Sequence, residues 1–157
     1  VSKACGSLFI ADYGLRYDLD YTVMRLGSVY GPGANGGVIK NFFERIIEGE
    51  RPIIYGDGTQ TRDFIHVSDV VSGLIKASQN GSGIYNLGTE NRTSVNELID
   101  KFEAVTGRDL DPKYEERWNG DIDECRLSID KARRDLGWEP KIDLMEGLEE
   151  CRDFYLK

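Results

Sequence analysis

Three stretches of the chain hold residues whose types and spacing can do chemistry. The first, Gly31-Pro32-Gly33-Ala34-Asn35-Gly36, satisfies G-x-G-x-x-G between an expected strand and an expected helix. That spacing matches a dinucleotide fingerprint, in which glycines let the backbone approach a pyrophosphate. Three features argue against it here. Pro32 has no N–H to offer. The strand after the following helix leads into an expected hairpin instead of a parallel crossover, and no acidic residue stands at a strand end about 20 residues on, where ribose recognition needs one. The run is read as a glycine-rich loop without a bound dinucleotide. Gly36, Gly37 and Val38 then present free N–H groups at a helix start, a natural seat for a phosphate.

The second stretch is Y-G-D-G-T-Q-T-R-D-F-I-H-V-S-D, Tyr55 to Asp69, and two readings of it stand. In the plainer one it is a hairpin with Asp57-Gly58 at the turn and a surface pairing of Arg62 with Asp63 that is worth little. In the sharper one, Arg62 and Phe64 lie two apart and project from the same strand face. A guanidinium there can grip phosphate bidentately beside an aromatic wall, with Tyr55 on the neighbouring strand to stack on a base. The third stretch, Glu116-Arg117-Trp118-Asn119-Gly120-Asp121, is either a solvated loop or a second cation plus a carboxylate that accepts from ribose hydroxyls. His66, the one histidine, reads as a packed or hydrogen-bonded core residue, and Asp69 as the first-turn carboxylate of its helix.

The elements that must position these residues alternate between helix and strand, as in an α/β protein. Ser2 to about Tyr17 reads as a helix and Tyr21 to Arg25 as a strand, and the run S-V-Y-G-P-G-A-N-G-G that follows reads as a loop. A helix is expected over Val38 to Glu48, then short strands at Pro52 to Tyr55 and Thr61 to Val67 joined as a hairpin. Ser68 is the expected N-cap of a helix ending near Asn80-Gly81. A strand at Gly83 to Leu87 precedes a helix that starts in the capping box Ser94/Glu97 and stops at Gly107. Lys113 to Glu116 reads as a strand, Arg117 to Asp123 as a polar loop, and Asp130 to Leu136 and Leu144 to Tyr155 as helices.

Composition narrows the function classes. The chain has 157 residues, 39% of them hydrophobic, enough for one domain with a real core. No run approaches the roughly 18 apolar residues of a membrane span, and the N-terminus lacks a signal-peptide pattern, so a cytoplasmic protein is expected. A net charge of -8 argues against a nucleic-acid partner and leaves any anionic ligand to a few placed cations. Cys5, Cys125 and Cys151 are widely spaced and read as reduced thiols; with a single histidine beside them, no metal site is expected. Glycine, at 18 residues, exceeds the usual ~7%, so much of the chain is turn or closely approached backbone.

Four runs recur in a telling order: V-Y-G-P-G (Val29 to Gly33), Y-G-D-G-T-Q-T-R-D-F-I-H-V-S-D-V, Y-N-L-G-T (Tyr85 to Thr89) with the S-V-N-E-L helix, and D-K-A-R-R-D-L-G-W-E-P (Asp130 to Pro140). Together they resemble the C-terminal half of the extended short-chain dehydrogenase/reductase family, the NAD-dependent nucleotide-sugar epimerases and dehydratases, with UDP-glucose 4-epimerase-like members nearest. The resemblance covers essentially Ser2 to Tyr155. It implies the tail of a Rossmann-type parallel sheet domain over residues 1–30, followed by a small mixed α/β substrate-binding domain over 31–157. It also implies NAD as cofactor, a UDP-sugar as substrate and a homodimer for the full-length enzyme.

In this family a Y-x-x-x-K motif ends on the helix before the first of these strands. V-S-K at Val1 to Lys3 resembles its last three residues, which places the tyrosine four residues before Lys3. Lys3 inherits the lysine that binds the nicotinamide ribose and lowers the tyrosine pKa. The resemblance makes Arg62 the arginine that clamps the nucleotide diphosphate, Phe64 its aromatic neighbour and Tyr55 the wall of the base pocket, with backbone from Ile53 to Tyr55 reading the base edge. Val38 resembles the helix-start position whose N–H meets a phosphate. Ser28 stands where many members have a diphosphate-binding asparagine, and is shorter by one donor. Arg117 and Asp121 resemble an R-x-G-D pair that grips the second phosphate and ribose, with one extra residue between them here: either the loop bulges around Trp118 or Arg117 is not the ligand. The reaction implied is 4-epimerisation through a 4-keto sugar, with a 4,6-dehydratase or a non-catalytic nucleotide-sugar-binding module as alternatives. The isolated chain is expected to be inactive, and its first 25 residues to expose an apolar patch that other parts of such a sheet normally cover.

Overall fold

The computed structural model describes residues 2–157. Val1, the first of the V-S-K triplet, lies outside the described residues. In chain order the elements are α1 (Ser2–Tyr17), β1 (Thr22–Leu26), β2 (Ser28–Tyr30), α2 (Val38–Ile47), β3 (Ile53–Tyr55), β4 (Thr61–Arg62), β5 (Phe64–His66), α3 (Val67–Asn80), β6 (Gly83–Leu87), β7 (Thr93–Ser94), α4 (Val95–Thr106), β8 (Lys113–Glu115), α5 (Asp130–Leu136) and α6 (Leu144–Tyr155). The α/β class expected from the alternation is what forms. β1 pairs with β6, β2 with β5 and β3 with β8, all parallel, while β4 pairs antiparallel with β7. Each of the first four strands therefore takes its partner from the last four.

That pairing corrects three local expectations. β3 and β4 form no hairpin: β3 runs beside β8, and Thr61–Arg62 lies against Thr93–Ser94. The S-V-Y run is not loop but β2, in register with Phe64–His66. Short, weakly patterned segments become strands here because a remote partner satisfies their backbone, and a local reading cannot see that partner. Thirdly, α3 begins two residues earlier than an N-cap at Ser68 implies. His66 is the N-cap, and its Nδ1 accepts from the Ser68 N–H at 3.4 Å. The locally encoded stops hold: Ser94 and Glu97 make a reciprocal capping box, and Gly107 closes α4 at φ 66°.

Two apolar cores sit on opposite sides of β5. Phe42 and Phe43 of α2, Leu98 and Phe102 of α4, and Leu148 and Cys151 of α6 form one, with Phe64 at its margin. Ile65, the next residue, points the other way into the second, among Leu87, Ile129 and Trp138. The D-L-G-W-E-P run earns its place in this second core. The Trp138 indole N–H donates to Asp69 O and Ser72 Oγ, and the Asp69 carboxylate accepts from the Lys141 and Ile142 N–H groups at 3.0 Å. Asp69 is thus a first-turn carboxylate that also moors the segment leading to α6.

The expected apolar patch is present. On α1, Leu8 is 71% exposed, Phe9 68% and Leu15 86%. Among the described residues β1 pairs on one edge only, with β6. Across α3, Val71, Leu74 and Ile75 are exposed as well. No helix of the described residues is long and apolar enough to cross a membrane.

Candidate functional site

A pocket of about 320 Å³ opens where β2, the start of α2, β4 and β5 meet, lined by Ser28, Tyr30, Gly36 to Ile39, Arg62 and Phe64 among others. Four residues singled out from the sequence, Ser28, Val38, Arg62 and Phe64, share it. Arg62 and Phe64 face it together as strand alternation predicts, although the strand between them is interrupted at Asp63.

Asp63 is the residue that sequence reasoning missed. Instead of pairing with Arg62 at the surface, it is fully buried. Its Oδ1 accepts from the Thr89 N–H at 2.7 Å and the Thr89 hydroxyl at 2.8 Å, and its Oδ2 from the Leu127 N–H at 3.0 Å. Its backbone carbonyl accepts from the Ser28 N–H at 2.7 Å. Both neighbours fit tightly around it: a Cβ on Gly88 would lie 2.5 Å from Oδ2, and one on Gly27 2.5 Å from the carbonyl oxygen. Asp63 thereby fixes the point where the chain leaves an antiparallel pairing at Arg62 and enters a parallel one at Phe64. The signal available in the sequence was an acidic residue inside a run of strand formers, where an unpaired charge is rarely tolerated without hydrogen bonds.

The start of α2 forms one end of the pocket. Gly37 is the N-cap at φ 97°, ψ 162°, a backbone conformation natural to glycine, and no side chain caps the helix. The first turn of α2, where N–H groups lack helical partners and the helix dipole is positive, thus lines the same pocket as Arg62. Gly36, Gly37 and Val38, read from the sequence as a phosphate seat, all line this pocket, where the G-x-G-x-x-G run ends.

Arg62 is held by the loop at 116–123. Its Nη2 donates to Asp121 Oδ1 at 2.5 Å, and its Nη1 to Ile122 O at 2.7 Å and Thr61 O at 2.8 Å. The extra residue between Arg117 and Gly120 is absorbed in a turn, with the Asp121 N–H donating to Trp118 O at 3.2 Å and Gly120 at φ 85°. Arg117 runs its stem along Gly56 and pairs with Asp123 at 2.6 Å and Asp121 at 3.8 Å. Its hydrogen bond to Asp123 holds the guanidinium further above its ordinary pKa. Arg117 and Asp121 therefore join Arg62 in one charge cluster, but Arg117 does not line the pocket with Arg62. Tyr55, 37% exposed, stands against the same loop with its ring 5.1 Å from that of Trp118. Ile53 lies on β3 beside Lys113.

Other sequence-singled residues lie elsewhere. Lys3 is exposed in the first turn of α1. His66 is the core residue expected, 1% exposed, in edge contact with Tyr30 and with its Nε2 3.6 Å from Glu150. Among the described residues no group of three His, Cys, Asp or Glu is placed to hold a metal. A larger open groove of about 700 Å³ lies between α4 and the start of α6. Arg92 and Lys101 are matched there by Glu97, Asp100 and Asp143, so it lacks the one-signed polarity of the α2 pocket.

Comparison with known proteins converges on this architecture. The model of the NAD dependent epimerase/dehydratase family matches residues 1–88. The chain is 33% identical over 159 residues to a UDP-glucose 4-epimerase of Mycolicibacterium smegmatis, covering 98% of this chain and 51% of that protein. It is also 33% identical over 150 residues to UDP-glucuronic acid decarboxylase 3 of Arabidopsis thaliana, covering 93% and 44%. Among solved structures it superposes with a TM-score of 0.91 on UDP-glucose 4-epimerase of Thermotoga maritima with UDP-glucose, at 36% identity over 96% of this chain and 50% of that one. The chain thus spans about half the length of the relatives it matches. From the matched family model and these relatives, the chain belongs to the NAD dependent epimerase/dehydratase family.

Proposed function

We propose that this chain is the C-terminal, nucleotide-sugar-binding half of an NAD-dependent 4-epimerase of the UDP-glucose type. The observation that carries the reading is the α2 pocket, where an uncapped helix start and a buried-edge arginine converge on one small space in a protein of net charge -8. A diphosphate fits that pair, since the helix start offers N–H donors and Arg62 a charged fork with its Nε and one Nη2 proton free of the loop. Phe64 and Ser28 line the same pocket. UDP-sugars are the named ligands or substrates of several relatives, which supports this substrate class.

Residues 1–30 are proposed as the tail of the NAD-binding domain, with residues 31–157 as the substrate domain and β6 returning to pair with β1. The support is physical: a parallel pair normally has both faces and both edges covered, yet here one β1 edge and the apolar residues of α1 and α3 are open. Among the described residues, Lys3 is the one proposed to contact NAD. The G-x-G-x-x-G run meets the α2 pocket through Gly36, and Pro32 lacks the N–H that a pyrophosphate loop would use. NAD, when bound by the whole protein, supplies hydride acceptance and return at the sugar's C4. The residues of this chain hold the diphosphate, so that the sugar projects toward the catalytic groups and turns over while anchored.

Calorimetry with uridine diphosphate tests the reading. Binding that is lost in Arg62→Ala is expected. Unchanged affinity in that variant, or no binding by the wild-type chain, would overturn it. Addition of UDP-glucose and NAD to the chain is expected to yield no UDP-galactose.

A further inference from the structure

Gly147 lies inside α6, where glycine is the least favourable residue after proline. Tyr30 supplies the reason for it. A Cβ at 147 would overlap the Tyr30 hydroxyl oxygen and lie 2.8 Å from two carbons of its ring. That hydroxyl donates to the carbonyl oxygen of Asp143, the N-cap of the same helix, at 3.4 Å. Tyr30 is buried, and its backbone is fixed in the β2–β5 ladder opposite His66. Any adjustment therefore falls to the ring, which two others meet edge-on: Phe64 at 6.4 Å and His66 at 5.3 Å between centroids. The two neighbours are not equally free to yield. His66 is enclosed and pinned as the N-cap of α3. Phe64 borders the α2 pocket and also a second cavity, of about 200 Å³, lined by Thr89 and Lys141 among others. A push on Tyr30 from α6 is thus relieved at Phe64.

We propose that Tyr30 is a positioning residue of the α2 pocket: Gly147 sets how closely its ring seats against α6, and the ring sets where Phe64 stands as the pocket wall. That the pocket takes a nucleoside diphosphate rests on the reading above, whereas the relay from α6 to Phe64 is a property of the packing. A close-packed interior hands such a displacement on instead of absorbing it. The position of α6 is in turn fixed by Asp69, whose carboxylate accepts from the Lys141 and Ile142 N–H groups just ahead of the helix. The pocket is thereby tuned from a helix whose Gly147 does not line it.

Gly147→Ala tests the relay, since helix propensity alone makes that substitution favourable. In the folded variant the Phe64 ring resonances are expected to shift by NMR, and affinity for uridine diphosphate to fall about tenfold by calorimetry. Removing the hydroxyl leaves the ring carbons, at 2.8 Å, as the nearest contact. In a Tyr30→Phe background the same glycine substitution is therefore expected to cost only about threefold. That background takes away the severest overlap, so the comparison decides the matter even where Gly147→Ala alone does not fold: Phe64 resonances that differ between Tyr30→Phe and the double variant support the relay. Unchanged Phe64 resonances on adding the methyl would overturn it, as would a loss of affinity equally large with and without the hydroxyl. Wild-type affinity in Gly147→Ala would overturn the control of the pocket by Tyr30 and leave the Arg62 site standing. No binding of uridine diphosphate to the wild type would overturn the nucleotide-sugar reading, with the Phe64 resonances still deciding the relay.

Discussion

Replacing Asp63 by asparagine isolates the contribution of one buried carboxylate to both stability and the pocket. The side chain is fully buried and takes three hydrogen bonds, two from Thr89 and one from Leu127. Asparagine is nearly isosteric but keeps one acceptor oxygen. If that oxygen stays with Thr89, the new NH2 faces the Leu127 N–H, donor against donor. A buried donor left without a partner costs about 1–3 kcal/mol, and the two remaining bonds lose the charge that roughly doubles their strength. The sum is about 3 kcal/mol. With a urea m-value of about 2 kcal/mol/M, the unfolding midpoint is expected to fall by about 1.5 M. Because Asp63 sits between Arg62 and Phe64 and holds the Ser28 N–H through its carbonyl, affinity for uridine diphosphate should fall as well in the fraction that remains folded. Urea titrations followed by circular dichroism measure the first effect and calorimetry the second. A midpoint within about 0.3 M of wild type would refute the assignment of Asp63 as the hub of this junction.

Two other outcomes are expected. Val38→Pro places proline at the first helical position, which tolerates it, while deleting the N–H proposed for phosphate. The urea midpoint should move little, and affinity for uridine diphosphate should weaken about tenfold or more; wild-type affinity would remove that N–H from the site. Cys5 is exposed and Cys151 fully buried, with burial pushing the Cys151 thiol up to about 11. A thiol reagent should therefore label Cys5 in the native chain and Cys151 only on unfolding. The pH dependence follows from the same shift. Between its ordinary value of 9 and 11, the unfolded chain loses the Cys151 proton while the folded chain keeps it. Stability is thus fully present below pH 9 and falls by up to ~1.4 kcal/mol per pH unit above it. Tyr30, raised mainly by its own burial, acts in the same direction at still higher pH. Urea midpoints at pH 8, 9 and 10 read this slope, which should flatten in Cys151→Ala; a midpoint that rises with pH contradicts it.

What was legible in the sequence divides by range. The Ser94/Glu97 box, the Gly107 stop and the start of α2 at Val38 are set by residues within one helical turn of each other, and all appear as expected. The pairing of Ser28–Tyr30 with Phe64–His66 involves residues some 36 positions apart, and no local pattern announces it, so the sequence alone suggests a loop where β2 forms and a hairpin where none exists. The pocket followed the same division. Arg62 and Phe64 were placed on one face by strand alternation alone. The loop residues that hold Arg62, Asp121 and Ile122, lie about 60 positions away. Asp63 was misjudged because an Arg-Asp neighbour pair resembles a surface ion pair until the Thr89 and Leu127 donors are seen. Likewise the role of Asp69 depends on Lys141 and Ile142, more than 70 positions on.

The division of the strands into a first four that pair only with the last four carries a consequence for how the molecule comes into being. Among the described residues, β1 to β4 all precede Asp63, and every strand they pair with follows it. The segment up to Asp63 thus contains α1 and α2 and no pair among these eight strands. Every sheet contact then waits on loop closures between distant residues, which places this chain on the slow side of the relation between topology and folding rate. Seating β5 on β2 sets Phe64 beside Ser28 as one wall of the pocket, and Arg62 is held only once Asp121 and Ile122 reach it. Before these contacts form, the unpaired strands are the part of the chain most exposed to misassembly.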